Sequence, residues 1–198
     1  MGKPILYISY YTDGYYAEVI EECLMPSLIK FELPYQIYRR PNLHNWHHNG
    51  KYKTDIILTA LETHPHLDIV FLDSDAQIVK TPDIFEKIPE EYNVGVCILD
   101  WYKFWHNQEG MGKKEVLGAT LFFRNNPETI KFVEQWHRLN QTSNKWGQMI
   151  LQELLFANKI KYYELPFEYC RIIKEGENLN DDIVIAQHQA SRQGRKLA

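Results

Sequence analysis

Residues 68–82 read Asp68-Ile69-Val70-Phe71-Leu72-Asp73-Ser74-Asp75-Ala76-Gln77-Ile78-Val79-Lys80-Thr81-Pro82. An apolar, strand-forming run ends on two carboxylates one residue apart. A strand buried on both faces of a parallel sheet reads as an unbroken apolar run, and open α/β sheets place ligands at the carboxyl ends of such strands. Two carboxylates there are costly to remove from water unless something cationic neutralises them. A divalent metal that also holds a polyphosphate answers that need, because positions i and i+2 can converge once the pleat of a strand is broken. Read alone, the pair also fits a solvated loop. The Phe71-Leu72 step directly upstream weighs against that, since surface loops rarely begin so deep in an apolar strand.

Toward the N-terminus, Ile5 to Tyr10 reads as a first strand, followed by turn chemistry at Thr12-Asp13-Gly14. Residues 15–31 show helical spacing, with Pro26 expected to kink or restart the helix. Tyr35–Tyr38 is a short second strand, a polar histidine-rich loop follows, and a helix is expected from about Thr54 to Thr63. Strand, helix, strand, helix, strand before residue 75 indicates a doubly wound, mostly parallel sheet. Further strands are expected at Val94–Leu99, Ala119–Arg124 and around 161–165 and 183–187, with helices at 127–138 and 146–157. A glycine-containing loop is expected at 109–114, and a basic tail ends the chain.

At 198 residues the chain can bury a sizeable core as one domain. Its net charge of −4 gives no nucleic-acid-coating surface. Cys23, Cys97 and Cys170 are too widely spaced for a zinc site and too few for a disulfide framework, which points to reduced thiols in a cytoplasmic protein. No apolar run reaches the roughly 18 residues of a membrane span, and the first strand starts too early for a signal peptide.

An apolar strand, Asp-X-Asp, an apolar pair and a proline together resemble the GT-A glycosyltransferases, in their nucleotide-diphospho-sugar transferase branch. The resemblance implies a single GT-A-like α/β domain over residues 1–198, with a Rossmann-like, mixed but mostly parallel sheet flanked by helices. About residues 1–100 would bind the nucleotide-sugar. About 101–198 would form the acceptor side, with a C-terminal metal ligand and the basic tail. In that family the two aspartates hold Mn²⁺ or Mg²⁺ against the donor's diphosphate. Tyr10-Tyr11-Thr12-Asp13 and Tyr15 are similar to its donor-base loop, and Lys53 matches a basic position before the metal strand. Asp73, Ser74 and the Gly118-Ala119 segment resemble its sugar-binding pocket. Gln148 matches the glutamine of an Asp-Gln pair at a helix start, with Gly147 standing where relatives carry the aspartate. His188, at the end of a last strand, is similar to the third metal ligand. Ala190-Ser191-Arg192 replace the glycine, lysine and tryptophan usual after it. On its own, His188 fits either a ligand completing a site of two carboxylates or a hydrogen-bonded surface histidine.

The reaction implied is transfer of a sugar from a nucleoside diphosphate donor, UDP-linked, to a hydroxyl of a glycan, protein or small-molecule acceptor. An inverting enzyme needs a carboxylate base, for which Asp100, Glu115, Asp181 and Asp182 are available. A retaining enzyme can rely on the leaving phosphate and a polar group such as Gln148, and the pattern leans that way. Arg192, Arg195 and Lys196 are expected to fold over the donor phosphates. Of the aromatic clusters, His44-Trp46-His47-His48 suits a pocket wall better than a second metal site, and 100–106 suits acceptor recognition. Two other classes use the same residues: a haloacid-dehalogenase-like phosphatase with Asp73 as nucleophile and Asp75 as general acid, and a catalytically inactive nucleotide-sugar-binding protein.

Overall fold

A computed structural model of the chain describes residues 2–108, 110, 112–174 and 176–191. Its first part alternates strand and helix as β1 (Ile5–Thr12), α1 (Tyr15–Glu22), α2 (Leu24–Lys30) and β2 (Tyr35–Arg40). Next come α3 (Trp46–Gly50), α4 (Tyr52–Thr63), β3 (Asp68–Leu72) and β4 (Ala76–Ile78). The remainder comprises β5 (Val94–Asp100), α5 (Trp101–His106), β6 (Lys114–Phe123), α6 (Pro127–Thr142), α7 (Gly147–Phe156), β7 (Tyr162–Glu164), β8 (Arg171–Ile172) and β9 (Ile185–Gln187).

Six strands form the main sheet in the order β2-β1-β3-β6-β5-β7. The β1–β2, β1–β3 and β5–β7 pairings are parallel, whereas β6 runs antiparallel to both its neighbours. The expected mixed, mostly parallel sheet flanked by helices is what forms. Strand β3 lies inside it, buried along its whole length, and its pleat divides the core. Ile69 and Phe71 face the helices α4, α6 and α7, while Val70 and Leu72 face α2 and the second sheet. Asp68 starts the strand with its carboxylate buried. It accepts the Asn125 backbone N–H at 2.8 Å and pairs with Arg124 at 3.4 Å, so this acid is structural.

Several expected boundaries move for physical reasons. The first helix breaks at Cys23, and Pro26 falls in the first turn of α2, where a missing N–H costs no hydrogen bond. The histidine-rich stretch is a short helix, α3, capped by the Asn45 side chain accepting the His48 N–H at 3.0 Å. Residues 101–106 are likewise helical, capped by Asp100. Strand β6 begins at Lys114, five residues before the expected start, because Gly118 marks a bulge within the strand.

That bulge matters for the site. Between β5 and β6 the register passes from Val96↔Leu121 to Cys97↔Leu117, which leaves Gly118, Ala119 and Thr120 without β5 partners. Thr120 pairs instead with Leu72 at the end of β3. A smaller sheet, β4-β9-β8, continues from the turn after β3. It is tied to the bulge by Gln187 Nε2 donating to Thr120 Oγ1 at 3.0 Å.

Candidate functional site

The backbone after β3 turns at once. The Asp73 N–H donates to Ala119 O at 2.9 Å, and the Ala76 N–H returns to Asp73 O at 3.0 Å. This tight turn brings Asp73, Ser74 and Asp75 to the wall of a cleft of about 400 Å³ at the carboxyl end of the parallel strands. Both halves of the chain line it, from Tyr10 at the end of β1 to Gln187 at the end of β9.

Asp73 Oδ1 is paired with Lys53 Nζ at 2.8 Å. The same ammonium donates to Gly118 O at 2.7 Å and lies 4.8 Å from the centre of the Phe71 ring. The bulge thus exposes a carbonyl that α4 reaches with its lysine. Across the cleft, Gln148 Oε1 accepts the Gly118 N–H at 3.0 Å, and Gln148 Nε2 donates to Glu115 Oε1 at 2.9 Å. One continuous chain of hydrogen bonds therefore runs Glu115–Gln148–Gly118–Lys53–Asp73. Both ends of the Gln148 amide are engaged, so its orientation is fixed.

Asp75 is in a different state from Asp73. Its Oδ2 accepts the Ala190 N–H at 2.7 Å, and its carbonyl accepts the His188 N–H at 3.1 Å. Burial first, and the negative charge of Asp73 second, push its carboxyl up to about 6, against the pull of Ala190 and Lys53. Two neighbouring carboxylates at a cleft wall, one of them buried and raised by the other's charge, could serve as oxygen donors to a hard divalent cation.

His188 does not join them. Its Nε2 lies 2.8 Å from Gln77 Oε1, its ring is absent from the cleft lining, and desolvation lowers its pKa. Among the described residues no group of three His, Cys, Asp or Glu side chains is arranged to hold a metal. Without that imidazole, Asp73 and Asp75 could offer a cation oxygen ligands alone.

Tyr10, Tyr11 and Thr12, at the end of β1, line the cleft, with the Tyr10 hydroxyl donating to Asn49 O at 3.1 Å. Burial, and then Asp73, push the Tyr10 phenol up. Asp13 and Tyr15 are not in that wall. Arg39 Nε holds Asp13 at 2.7 Å, and Tyr15 packs edge-on to Tyr16, which supplies the ring at the cleft instead. Gly118, Ala119 and Gln148 also line the cleft. Asp100 is not: its Oδ1 accepts the Lys103 N–H at 3.1 Å as the α5 cap, with Lys114 at 3.8 Å. Asp181 and Asp182 are exposed and away from the cleft, leaving Glu115 as the available carboxylate. Arg192 and the rest of the basic tail lie outside the described residues.

Asn140 is a cleft residue that the sequence reading missed. It is buried on α6, and its Nδ2 donates to Thr54 Oγ1 at 3.2 Å. The signal was present: Thr129, Phe132, Val133, Trp136 and Asn140 form one helical stripe, and its last member is an amide. Asn140 also explains the departure at 147. A Cβ on Gly147 would lie 2.9 Å from Asn140 Oδ1, so this buried amide occupies the space that a side chain there needs. Gly147→Asp is expected to lower stability by about 1–3 kcal/mol through overpacking. Urea unfolding would read this as a lower midpoint, and an unshifted midpoint would show that Asn140 moves aside freely.

Solved structures share this fold. A crystal structure of a glycosyltransferase involved in the glycosylation of the major capsid of PBCV-1 is similar over 98% of both chains, with TM-score 0.71 and 16% identity. The bifunctional glycosyltransferase WbbM matches 96% of this chain at TM-score 0.57 and 11% identity. The glycosyltransferase GlyE of Streptococcus pneumoniae TIGR4 matches 86% at TM-score 0.53 and 15% identity. The match spans 46% of the WbbM and GlyE chains. No protein-family model and no curated protein matches the sequence.

Proposed function

We propose that this chain is a metal-dependent glycosyltransferase that moves a sugar from a nucleoside diphosphate sugar, UDP-linked, to an acceptor hydroxyl with retention. The observation that carries the reading is the Asp73/Asp75 turn at the end of the central strand, opening onto the cleft of a glycosyltransferase fold. Asp73 and Asp75 would hold Mn²⁺ or Mg²⁺, which supplies charge stabilisation for the departing diphosphate. The end of β1, with Tyr10, Tyr11 and Thr12, is the wall for base and ribose. Lys53 adds a fixed positive charge beside the acids.

Transfer breaks the bond from the anomeric carbon to the phosphate oxygen and forms one to the acceptor oxygen, whose proton passes to the leaving phosphate. Retention is supported by the displacement of Asp100, Asp181 and Asp182 from the cleft, and by the fixed Gln148 amide. Glu115, already accepting from Gln148, serves as that amide's anchor. A phosphatase using Asp73 as nucleophile is not favoured, because its acid strand opens the fold whereas β3 is the third strand. No described helix is long and apolar enough to cross a membrane. Three free cysteines support a reducing, cytoplasmic setting.

Thermal denaturation with a panel of nucleotide-sugars, with and without Mn²⁺ or Mg²⁺, tests the assignment. A ligand that binds only the folded state raises its melting temperature by mass action, so a UDP-sugar should shift it only when metal is present. No response to any nucleotide-sugar would remove the donor assignment. Binding without transfer or hydrolysis would support the inactive binding protein, a reading that Gly147 keeps open.

A further inference from the structure

Two tryptophans stand exposed where the cleft meets solvent. Trp46 on α3 is 38% exposed and Trp146, the residue before α7, is 43% exposed. Their ring centroids are 4.9 Å apart with planes inclined at 59°, and both rings line the cleft. Indoles this exposed contribute little to the core, and grouping them leaves a continuous apolar corner in water. The inclination makes one ring a floor and the other a wall. The second aromatic cluster differs: Lys113 Nζ lies over the Trp101 ring at 4.0 Å, and Trp105 is half-buried against Phe104 at 4.8 Å.

The residues around this corner are planar and polar. Gln148 follows Trp146 by two positions and is bonded to Glu115. His47, next to Trp46, also lines the cleft, and its buried Nε2 has no hydrogen-bond partner among the described residues. A pyranose ring has the matching chemistry, with C–H groups on its faces and hydroxyls around its edge. A lipid chain would set apolar matter against the Glu115 carboxylate and leave the buried His47 Nε2 without a partner. A lone serine or threonine side chain is too small to cover two indoles.

We infer that the acceptor is itself a glycan, whose terminal pyranose docks on Trp46 and Trp146 with its hydroxyls toward Glu115, Gln148 and His47. The word acceptor rests on the glycosyl-transfer reading; the sugar-binding corner does not.

Saturation-transfer NMR with methyl glycosides of glucose, galactose, mannose, xylose and rhamnose tests it. A Ser/Thr-containing peptide serves as comparison, and a UDP-sugar thermal shift is run in parallel. At least one glycoside should receive saturation at its ring C–H protons. Trp46→Ala and Trp146→Ala should each weaken that glycoside about tenfold, a larger loss than either causes for the UDP-sugar. Trp146→Phe should recover part of the affinity, and circular dichroism should show each variant folded. Peptide binding in place of glycoside binding, or glycoside binding indifferent to both tryptophans, would overturn the proposal. UDP-sugar binding without glycoside binding would overturn it and leave the transferase reading standing. Glycoside binding at the tryptophans without any nucleotide-sugar response would do the reverse. Silence toward both ligands would remove both.

Discussion

Asp75→Asn is expected to lower sugar transfer by about 1,000-fold, roughly 4 kcal/mol of transition-state stabilisation, while making the metal-free protein more stable. The two effects have one cause. Asp75 is held beside Asp73 with its carboxyl pushed up to about 6, chiefly by burial and next by its neighbour's charge. A carboxyl whose folded pKa exceeds its unfolded value of about 3.8 binds protons more tightly in the folded state. Stability therefore falls as pH rises between those values, and the penalty is complete above about 6. Asparagine removes the charge but keeps an oxygen for the Ala190 N–H. With chelator present at pH 7.5, the variant should gain on the order of 2 kcal/mol in urea unfolding, and the gain should shrink toward pH 4.5. An equal or less stable variant would show that the acid pair is not strained without a cation. Transfer surviving at near wild-type rate would exclude Asp75 as a ligand.

The sheet was legible because β3 carries an unbroken apolar run, and Asp73 and Asp75 were legible because they end it. The rest of the site depends on features with no local signature. Gly118 reads as a strand boundary. Only the β5 register shows it to be a bulge that hands a carbonyl to Lys53 and an N–H to Gln148. Asp100 ends a strand much as Asp73 does, yet a helix starts on it, and the backbone claims the carboxylate as a cap. His188 follows a strand as a ligand would, but the β4–β9 pairing sets Gln77 against it. Tyr16 replaces Tyr15 at the cleft through one residue of helical phase, about 100° of rotation. Short helices such as α3 and α5 escape periodicity because five or six residues span less than two turns. Strand ends can thus be read from one segment, whereas what they face requires the partner strand.

Lys53→Met should separate metal binding from catalysis, tightening Mn²⁺ about tenfold while slowing transfer about 100-fold. Lys53 Nζ sits 2.8 Å from Asp73 Oδ1, where it supplies the positive charge that a divalent ion would otherwise provide. Removing it leaves both carboxylates to the ion. Even in a partly buried site of high effective dielectric, losing a unit charge within a few ångströms is worth about 1 kcal/mol or more. Methionine retains most of the stem that packs against the Phe71 ring, so the cleft wall stays filled. Turnover should move the other way. The same ammonium fixes Gly118 O at 2.7 Å, and through that residue the Gln148 amide. Without it, a pre-placed positive charge near the leaving diphosphate is lost, and the bulge is free to shift the glutamine; one such electrostatic contact is typically worth about 100-fold or more. Calorimetric titration with Mn²⁺ alone measures the first effect and initial rates at saturating metal measure the second. If the ion instead binds more weakly to the variant, Lys53 does not compete for Asp73, and the cation must lie on the Asp75 side of the turn.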